Sequence, residues 1–286
     1  MKIASIDIGT NAIKSKVFDT SPTTITFIEA IRSPIRLGEE VFNDGILSKA
    51  KLNELISTLM QYQKTFEKKE IVSYEITATS AFRDTKNSED ARRYVENQIE
   101  HPIRIISGLE EAKLISLHPK AQTGTGKMFV DVGGGSTEIY IYKEEKHSIQ
   151  SFQLGGVRLM LKKDKKNEWS RLEEWIKKQR NINTITGLGG NIRAFLNIHN
   201  VKKMSSNEFI KKAGELRKLS VEEKIALHNL GHDRADVIDH GLRIFLKIIN
   251  ELQVKKIKST KWGVSDSIAV KSFHELYSKK ISINSN

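Results

Sequence analysis

The feature that most constrains this chain is a short pattern used twice. Asp7-Ile8-Gly9-Thr10-Asn11 closes the apolar run Ile3–Ile8, and Asp131-Val132-Gly133-Gly134-Gly135 closes the run Met128–Val132. Each copy is followed by a second alternating run, Ile13–Phe18 and Glu138–Tyr142, and the copies are offset by 124 residues. Alternation at period two predicts half-buried strands, and an Asp-x-Gly step between two strands predicts a tight turn. Two copies of one hairpin predict two halves built alike. The length of 286 residues carries the same prior, so domains are expected at 1–120 and 121–286. Two unrelated glycine turns remain the alternative on this feature alone.

Between the hairpins the pattern is that of an α/β chain. Ile25–Ile31 reads as a third strand and Leu37–Gly45 as a glycine-containing loop. Leu52, Leu55, Ile56, Leu59 and Phe66 recur at helical spacing behind Ser48, a cap residue, and Ile71–Thr77 alternates as a strand. A helix is expected from Ser88 to Glu100, a strand at Ile103–Ile106, and a helix from Leu109 to Leu117 behind Gly108; His118–Lys127 reads as a connection. In the second half, strands are expected at Ser148–Leu154, Asn183–Gly187 and Val254–Lys258. Helices are expected at Glu168–Gln179 and Ala235–Leu252 and from Val264, the last packing back on the first domain.

Composition narrows the chemistry. The chain has no cysteine, which excludes disulfides, thiolate catalysis and thiolate metal sites. No window of about 18 uninterrupted apolar residues occurs and no leader precedes the first strand, so a soluble cytoplasmic protein with no membrane partner is expected. The net charge of +12 predicts an anionic partner.

Carboxylates are then the candidate catalytic groups. Asp7, Asp131 and Glu138 lie at strand ends beside the glycine turns, where a divalent cation and its water could be organised. Glu110 and Glu111 stand in the first turn of an expected helix, where acids ordinarily serve the helix dipole. In Gly133-Gly134-Gly135-Ser136-Thr137, backbone amides and two hydroxyls can converge on a phosphate oxygen. The turn lacks the Lys of a P-loop and precedes a strand rather than a helix. Arg83, in Thr77–Asn87, could clamp an anion or be a surface residue beside a capped loop. His228 and His232 do not form H-E-x-x-H, since Asn229 follows the first. The lysine clusters carry no nucleic-acid recognition signature; they read as solvated faces or as a polyanion track.

The doubled hairpin resembles that of the actin-like ATPase and sugar-kinase superfamily, which implies two α/β (ribonuclease H-like) domains facing across a central cleft. The chain resembles the exopolyphosphatase and guanosine pentaphosphate phosphatase family more closely. The resemblance rests on ASIDIGTNAIK, PIRLGEEVFNDGILS, ATSAFRDTKNSED, IISGLEEAKL, FVDVGGGSTEIY, LGGVRL, GLGGN from Gly187 and DRADVIDHG from Asp233. It implies an actin-like two-domain hydrolase that uses Mg²⁺, with Mn²⁺ as an alternative, to remove terminal phosphate from inorganic polyphosphate or guanosine pentaphosphate. By that resemblance Glu111 is the catalytic carboxylate that orients or deprotonates water. Asp131 and Glu138 place metal and water, and Asp7 is the facing carboxylate. Thr10, Asn11, Arg83, Gly134, Gly135, Ser136 and Thr137 hold phosphate.

Departures from the family pattern are Ala12 after Asn11, Asn191 in place of Thr, and Ser265 and Ser267 in place of Arg and Gly. The sequence matches a short two-domain form without the helical domain of longer members. The departures keep open a weakly catalytic polyphosphate-binding regulator. An ATPase or sugar kinase shares the turns but not the TSAFRD and GLEEA pairing. No specific nucleic acid is expected, and a homodimer is compatible with the fold.

Overall fold

The computed structural model describes residues 1–124 and 126–283, with side chains to Tyr277. Position 125, in the expected connection His118–Lys127, and positions 284–286, ending the expected second domain, lie outside the described residues. The chain divides into two compact units, one of residues 1–107 and 264–286 and one of residues 108–263.

In the first unit, β1 (Lys2–Ile8), β2 (Ile13–Ser21), β3 (Thr24–Ser33), β4 (Ile71–Ala78) and β5 (Ile103–Ile105) form one sheet in the order β3-β2-β1-β4-β5. β1, β2 and β3 run antiparallel, whereas β4 and β5 run parallel to β1. The helices are α1 (Leu37–Asn43), α2 (Lys49–Lys68), α3 (Ser80–Asp84) and α4 (Ser88–Ile99). Ser48 caps α2 by accepting from the Lys51 N–H, and Leu52, Leu55, Ile56, Leu59 and Phe66 are buried as their spacing predicts.

The second unit begins with α5 (Gly108–Leu114) and a 3-10 turn (Ile115–Leu117), followed by β6 (Lys127–Val132), β7 (Thr137–Lys143) and β8 (Lys146–Phe152). Then come α6 (Gly156–Met160), α7 (Lys166–Lys177), β9 (Thr184–Leu188), α8 (Gly190–Ile198), β10 (Lys203–Ser205) and α9 (Ser206–Leu216). α10 (Val221–His228), α11 (His232–Ala235), α12 (Ile238–Leu252) and β11 (Lys256–Ser259) complete it. Its sheet order is β10-β11-β9-β6-β7-β8. Read as β8-β7-β6-β9-β11, this repeats the first sheet, with β10 added at the edge. The final helix, α13 (Val264–Ile283), packs on β1, β2 and β4 of the first unit.

Strand alternation decides what each sheet face covers. Met128, Val130 and Val132 of β6 face the core that Ile185, Ile192, Phe195, Leu242, Phe245 and Ile248 fill. Phe129 and Tyr140 face the other way, against Ile115. In the first unit, Ile3 and Phe18 meet Ala269, Phe273 and Tyr277 of α13, and Ser5 Oγ donates to the Ser265 carbonyl at 2.8 Å. Each fully buried large apolar side chain contributes about 1.5–3 kcal/mol relative to exposure.

Several elements differ from expectation. The stretch 37–45 is not a loop: α1 forms there, and its Gly38 N–H donates to the Thr10 carbonyl at 2.9 Å, so the glycine docks a helix rather than breaking it. The long helix expected from Ala235 is split into α11 and α12 at Asp236–Val237. The unit boundary falls at 107/108 rather than 120/121, because α5 packs on β7 and β8. No helix of the described residues is long and apolar enough to cross a membrane.

Candidate active site

Parallel strands align their carboxyl ends, and in α/β sheets that edge is where ligands bind. In the second unit the edge collects the turn after β6 and the turn after β9. Gly133 N–H donates to the Ser136 carbonyl at 3.0 Å, closing the first turn. Its carbonyls are then occupied from behind by α6. Gly156 N–H donates to Gly133 O (2.9 Å), Val157 N–H to Gly134 O (2.8 Å), and Arg158 N–H to Gly134 O (3.1 Å). The buried Arg158 Nε donates to Gly135 O at 2.8 Å. With these carbonyls turned inward, the opposite edge of the turn presents backbone N–H character, the arrangement that suits an anion. The approach of α6 requires Gly155, since a Cβ there would lie 2.5 Å from both C and O of Gly134.

Two carboxylates stand next to this turn. Asp131 and Glu138 are register partners across the β6–β7 hairpin, so their side chains leave the same face. Both are buried, Glu138 with 1% exposure and Asp131 with 9%. Ser151 Oγ donates to Glu138 Oε1 at 2.8 Å. Gly189, at φ +87°, brings the second turn so close that a Cβ would lie 2.9 Å from Asp131 Oδ1. Glu111 is buried in α5, the helix that packs on β7 and β8. On the same face as Glu138, burial pushes the Tyr140 phenol up to about 12, and its OH bonds His147 Nδ1 at 2.8 Å.

This donor set fits a hard divalent cation. Mg²⁺ needs only one or two carboxylates, with water and substrate phosphate completing its shell. Among the described residues no group of three or more His, Cys, Asp or Glu side chains is gathered for a metal, so an all-protein cage is absent there. The oxygen donors of Asp131 and Glu138 also suit Mn²⁺. His228 and His232 sit on separate helices, divided by the left-handed Asn229 and by Gly231 at the start of α11.

The first unit repeats the frame with other chemistry. Gly9 N–H donates to the Ala12 carbonyl at 3.2 Å, as Gly133 does to Ser136. Asp7 is buried, and its register partner is Lys14, whose Nζ lies 3.4 Å from Asp7 Oδ2. Thr10 Oγ1 is 2.5 Å from Ser80 Oγ and only 3% exposed, so that hydroxyl ties the turn to α3. Asn11 Oδ1 accepts from Arg36 Nε at 3.2 Å. Arg83 donates to the Ile106 carbonyl at 2.8 Å, which holds its head at the carboxyl end of β5.

Thr137 departs from its expected role. It opens β7 fully buried, and its hydroxyl donates to the Leu154 carbonyl at 2.6 Å, so it braces the turn from inside. Asn191 is likewise buried, with Arg234 donating to its Oδ1. At the third departure, Ser265 and Ser267 are buried and Asp266 pairs with Lys16 at 2.5 Å. Sequence reasoning assigned no role to Lys14, Arg36, Arg158 or Arg234. All four lay inside matched motifs, in ASIDIGTNAIK, PIRLGEE, LGGVRL and DRADVIDHG.

Comparison with known proteins agrees with this architecture. A crystal structure of a Ppx/GppA family member from Aquifex aeolicus superposes with a TM-score of 0.75 at 24% identity, covering 99% of each chain. The type II variant of the Aquifex aeolicus Ppx/GppA phosphatase gives 0.69 at 26% identity, over 95% of this chain and 99% of that one. An exopolyphosphatase from Cytophaga hutchinsonii gives 0.84 at 18% identity, over 96% and 98%. These likenesses show an α/β fold of the actin-like kind. A model of the Ppx/GppA phosphatase family matches residues 16–276, and the chain therefore belongs to that family.

Proposed function

We propose that the protein is an exopolyphosphatase, hydrolysing the terminal phosphoanhydride bond of inorganic polyphosphate. The reading is carried by the Gly133–Ser136 turn, whose carbonyls are taken by α6 and which lies beside the buried Asp131–Glu138 pair. In the proposed reaction Glu111 orients a water for in-line attack on the terminal phosphorus and accepts its proton. The bond from that phosphorus to the bridging oxygen breaks, and the shortened chain leaves with the electron pair. Backbone N–H groups at Gly134 and Gly135, with Ser136, stabilise charge on the transferred phosphoryl oxygens. Asn11, with Arg36 beside it, and Arg83 bind phosphate in the first unit, and Thr10 ties the Asn11 turn to α3. Asp131 and Glu138 would hold Mg²⁺, or Mn²⁺, which supplies Lewis-acid stabilisation of phosphate charge when bound. Asp7, already paired with Lys14, is assigned a supporting role.

The net charge of +12 favours a long polyanion over a single nucleotide. The test is orthophosphate release from polyphosphate and guanosine pentaphosphate side by side. Faster release from polyphosphate, abolished in a folded Glu111→Gln variant, is expected. Release from guanosine pentaphosphate alone would shift the assignment to that substrate, and polyphosphate binding without turnover would make the protein a regulator.

A further inference from the structure

The second sheet has a feature that the proposed hydrolysis does not use. On the face away from its core, β6, β9, β11 and β10 present side chains in two cross-strand rows. One row reads Lys127, Thr184, Lys256, and the next reads Phe129, Thr186, Lys258, Lys203. The intervening residues Met128, Ile185, Ile257 and Met204 all belong to the core on the other side, so alternation puts the four lysines on one face.

Lys203 and Lys258 are direct antiparallel partners, an arrangement that like charges destabilise. Among the described residues none of these four lysines, nor Lys120 from the segment before β6, lies within ion-pair distance of a carboxylate. Among the described residues Lys127 Nζ donates only to Thr123, through its carbonyl at 2.5 Å and its hydroxyl at 3.4 Å. Burial first, and then Lys127, Lys120, Lys256 and Lys203, hold the Lys258 amine below its ordinary pKa.

A second, independent observation lies in the same row. Thr186 is 2% exposed, and among the described residues its Oγ1 has no hydrogen-bond partner. Buried hydroxyls are nearly always satisfied, so this row carries a polar group that the protein itself leaves unpaired among the described residues. Self-repelling lysines with hydroxyls among them ask for a multiply charged, oxygen-rich anion.

We propose that this lysine row is a second binding surface for linear inorganic polyphosphate, separate from the hydrolytic turn, which holds internal phosphates of a long chain. The identity of the ligand rests on the polyphosphate reading above; the existence of a polyanion site does not. Single-stranded nucleic acid fits less well. Proteins that hold it combine basic grooves with aromatic stacking platforms, and the aromatic residue in these rows, Phe129, is 1% exposed. The residues are also lysines, which act as point charges rather than as forks that read bases.

The test compares wild type with the triple variant Lys203→Gln, Lys256→Gln, Lys258→Gln in divalent-free buffer. Binding of long-chain polyphosphate, tripolyphosphate and a single-stranded RNA is measured against salt. Neutralising three phosphate contacts at about 0.7 each predicts that the slope of log affinity on log salt falls by about 2 for long polyphosphate, with affinity down roughly tenfold. Tripolyphosphate binding is expected to be unchanged, and the variant is expected to melt no lower than wild type, because it loses only repulsion. An unchanged long-chain slope overturns the proposal. So does an equal loss for tripolyphosphate, which would place the effect at the hydrolytic turn, or RNA bound as tightly as polyphosphate with the same lysine dependence. Orthophosphate release is assayed separately on the same proteins. Slope loss in the triple variant, together with a wild type that hydrolyses nothing, would sink the enzymatic reading while leaving this surface standing.

Discussion

The β1–β2 and β6–β7 hairpins are the same object with different side chains. Both close with a Gly N–H donating to a carbonyl three residues on, at 3.2 Å in the first and 3.0 Å in the second. Both put a buried Asp at the last but one strand position. The difference is across the strand. Lys14 faces Asp7, whereas Glu138 faces Asp131. The first hairpin is therefore close to neutral and the second concentrates two acids beside a turn whose carbonyls are already engaged. One backbone thus supplies two electrostatic environments, and the account assigns chemistry to the acidic one.

That contrast can be broken in graded steps. Glu138→Gln keeps an acceptor for Ser151 and removes one charge; orthophosphate release is expected to fall by about 10²–10³-fold, the scale of losing one preorganised electrostatic group, with an unchanged circular dichroism spectrum. Gly155→Ala forces α6 away from the Gly134 backbone, and a displacement of about 1 Å predicts a loss on the order of 10²-fold in kcat, accompanied by a lower Tm. Thr137→Val removes the bond to the Leu154 carbonyl and should cost about 1–3 kcal/mol in denaturant unfolding, with KM for polyphosphate unchanged. A large rise in KM would return Thr137 to direct phosphate binding. Lys14→Met tests the neutral hairpin. The pair spans 3.4 Å with Lys14 40% exposed, so stability should change by less than about 1 kcal/mol.

Much of this comparison was legible in the sequence, for identifiable reasons. Period-two alternation and a D-x-G turn are local signals, so both hairpins and their offset could be read directly. Glu111 was singled out only by resemblance, because an acid in a first helical turn has a commoner explanation in the helix dipole. The role of Arg158 was not legible. It depends on α6, a five-residue helix too short for a periodic signal, meeting a turn some 20 residues earlier in sequence. Thr137 and Ser136 look equivalent in a glycine-serine-threonine run, and only the folded chain, which brings the Leu154 carbonyl to the Thr137 hydroxyl, tells them apart. The lysine row had the same difficulty. Lys127, Lys203 and the Lys256–Lys258 pair lie in three separate stretches of sequence, and the strand order β6-β9-β11-β10 is what unites them.

The most direct test of the central claim, that the acidic hairpin and the helix packed on it perform hydrolysis, is orthophosphate release from polyphosphate by Glu111→Gln at matched Mg²⁺. The account predicts loss of release by about 10²-fold or more while polyphosphate binding and the melting temperature stay at wild-type values. Release at the wild-type rate from a folded variant would contradict it.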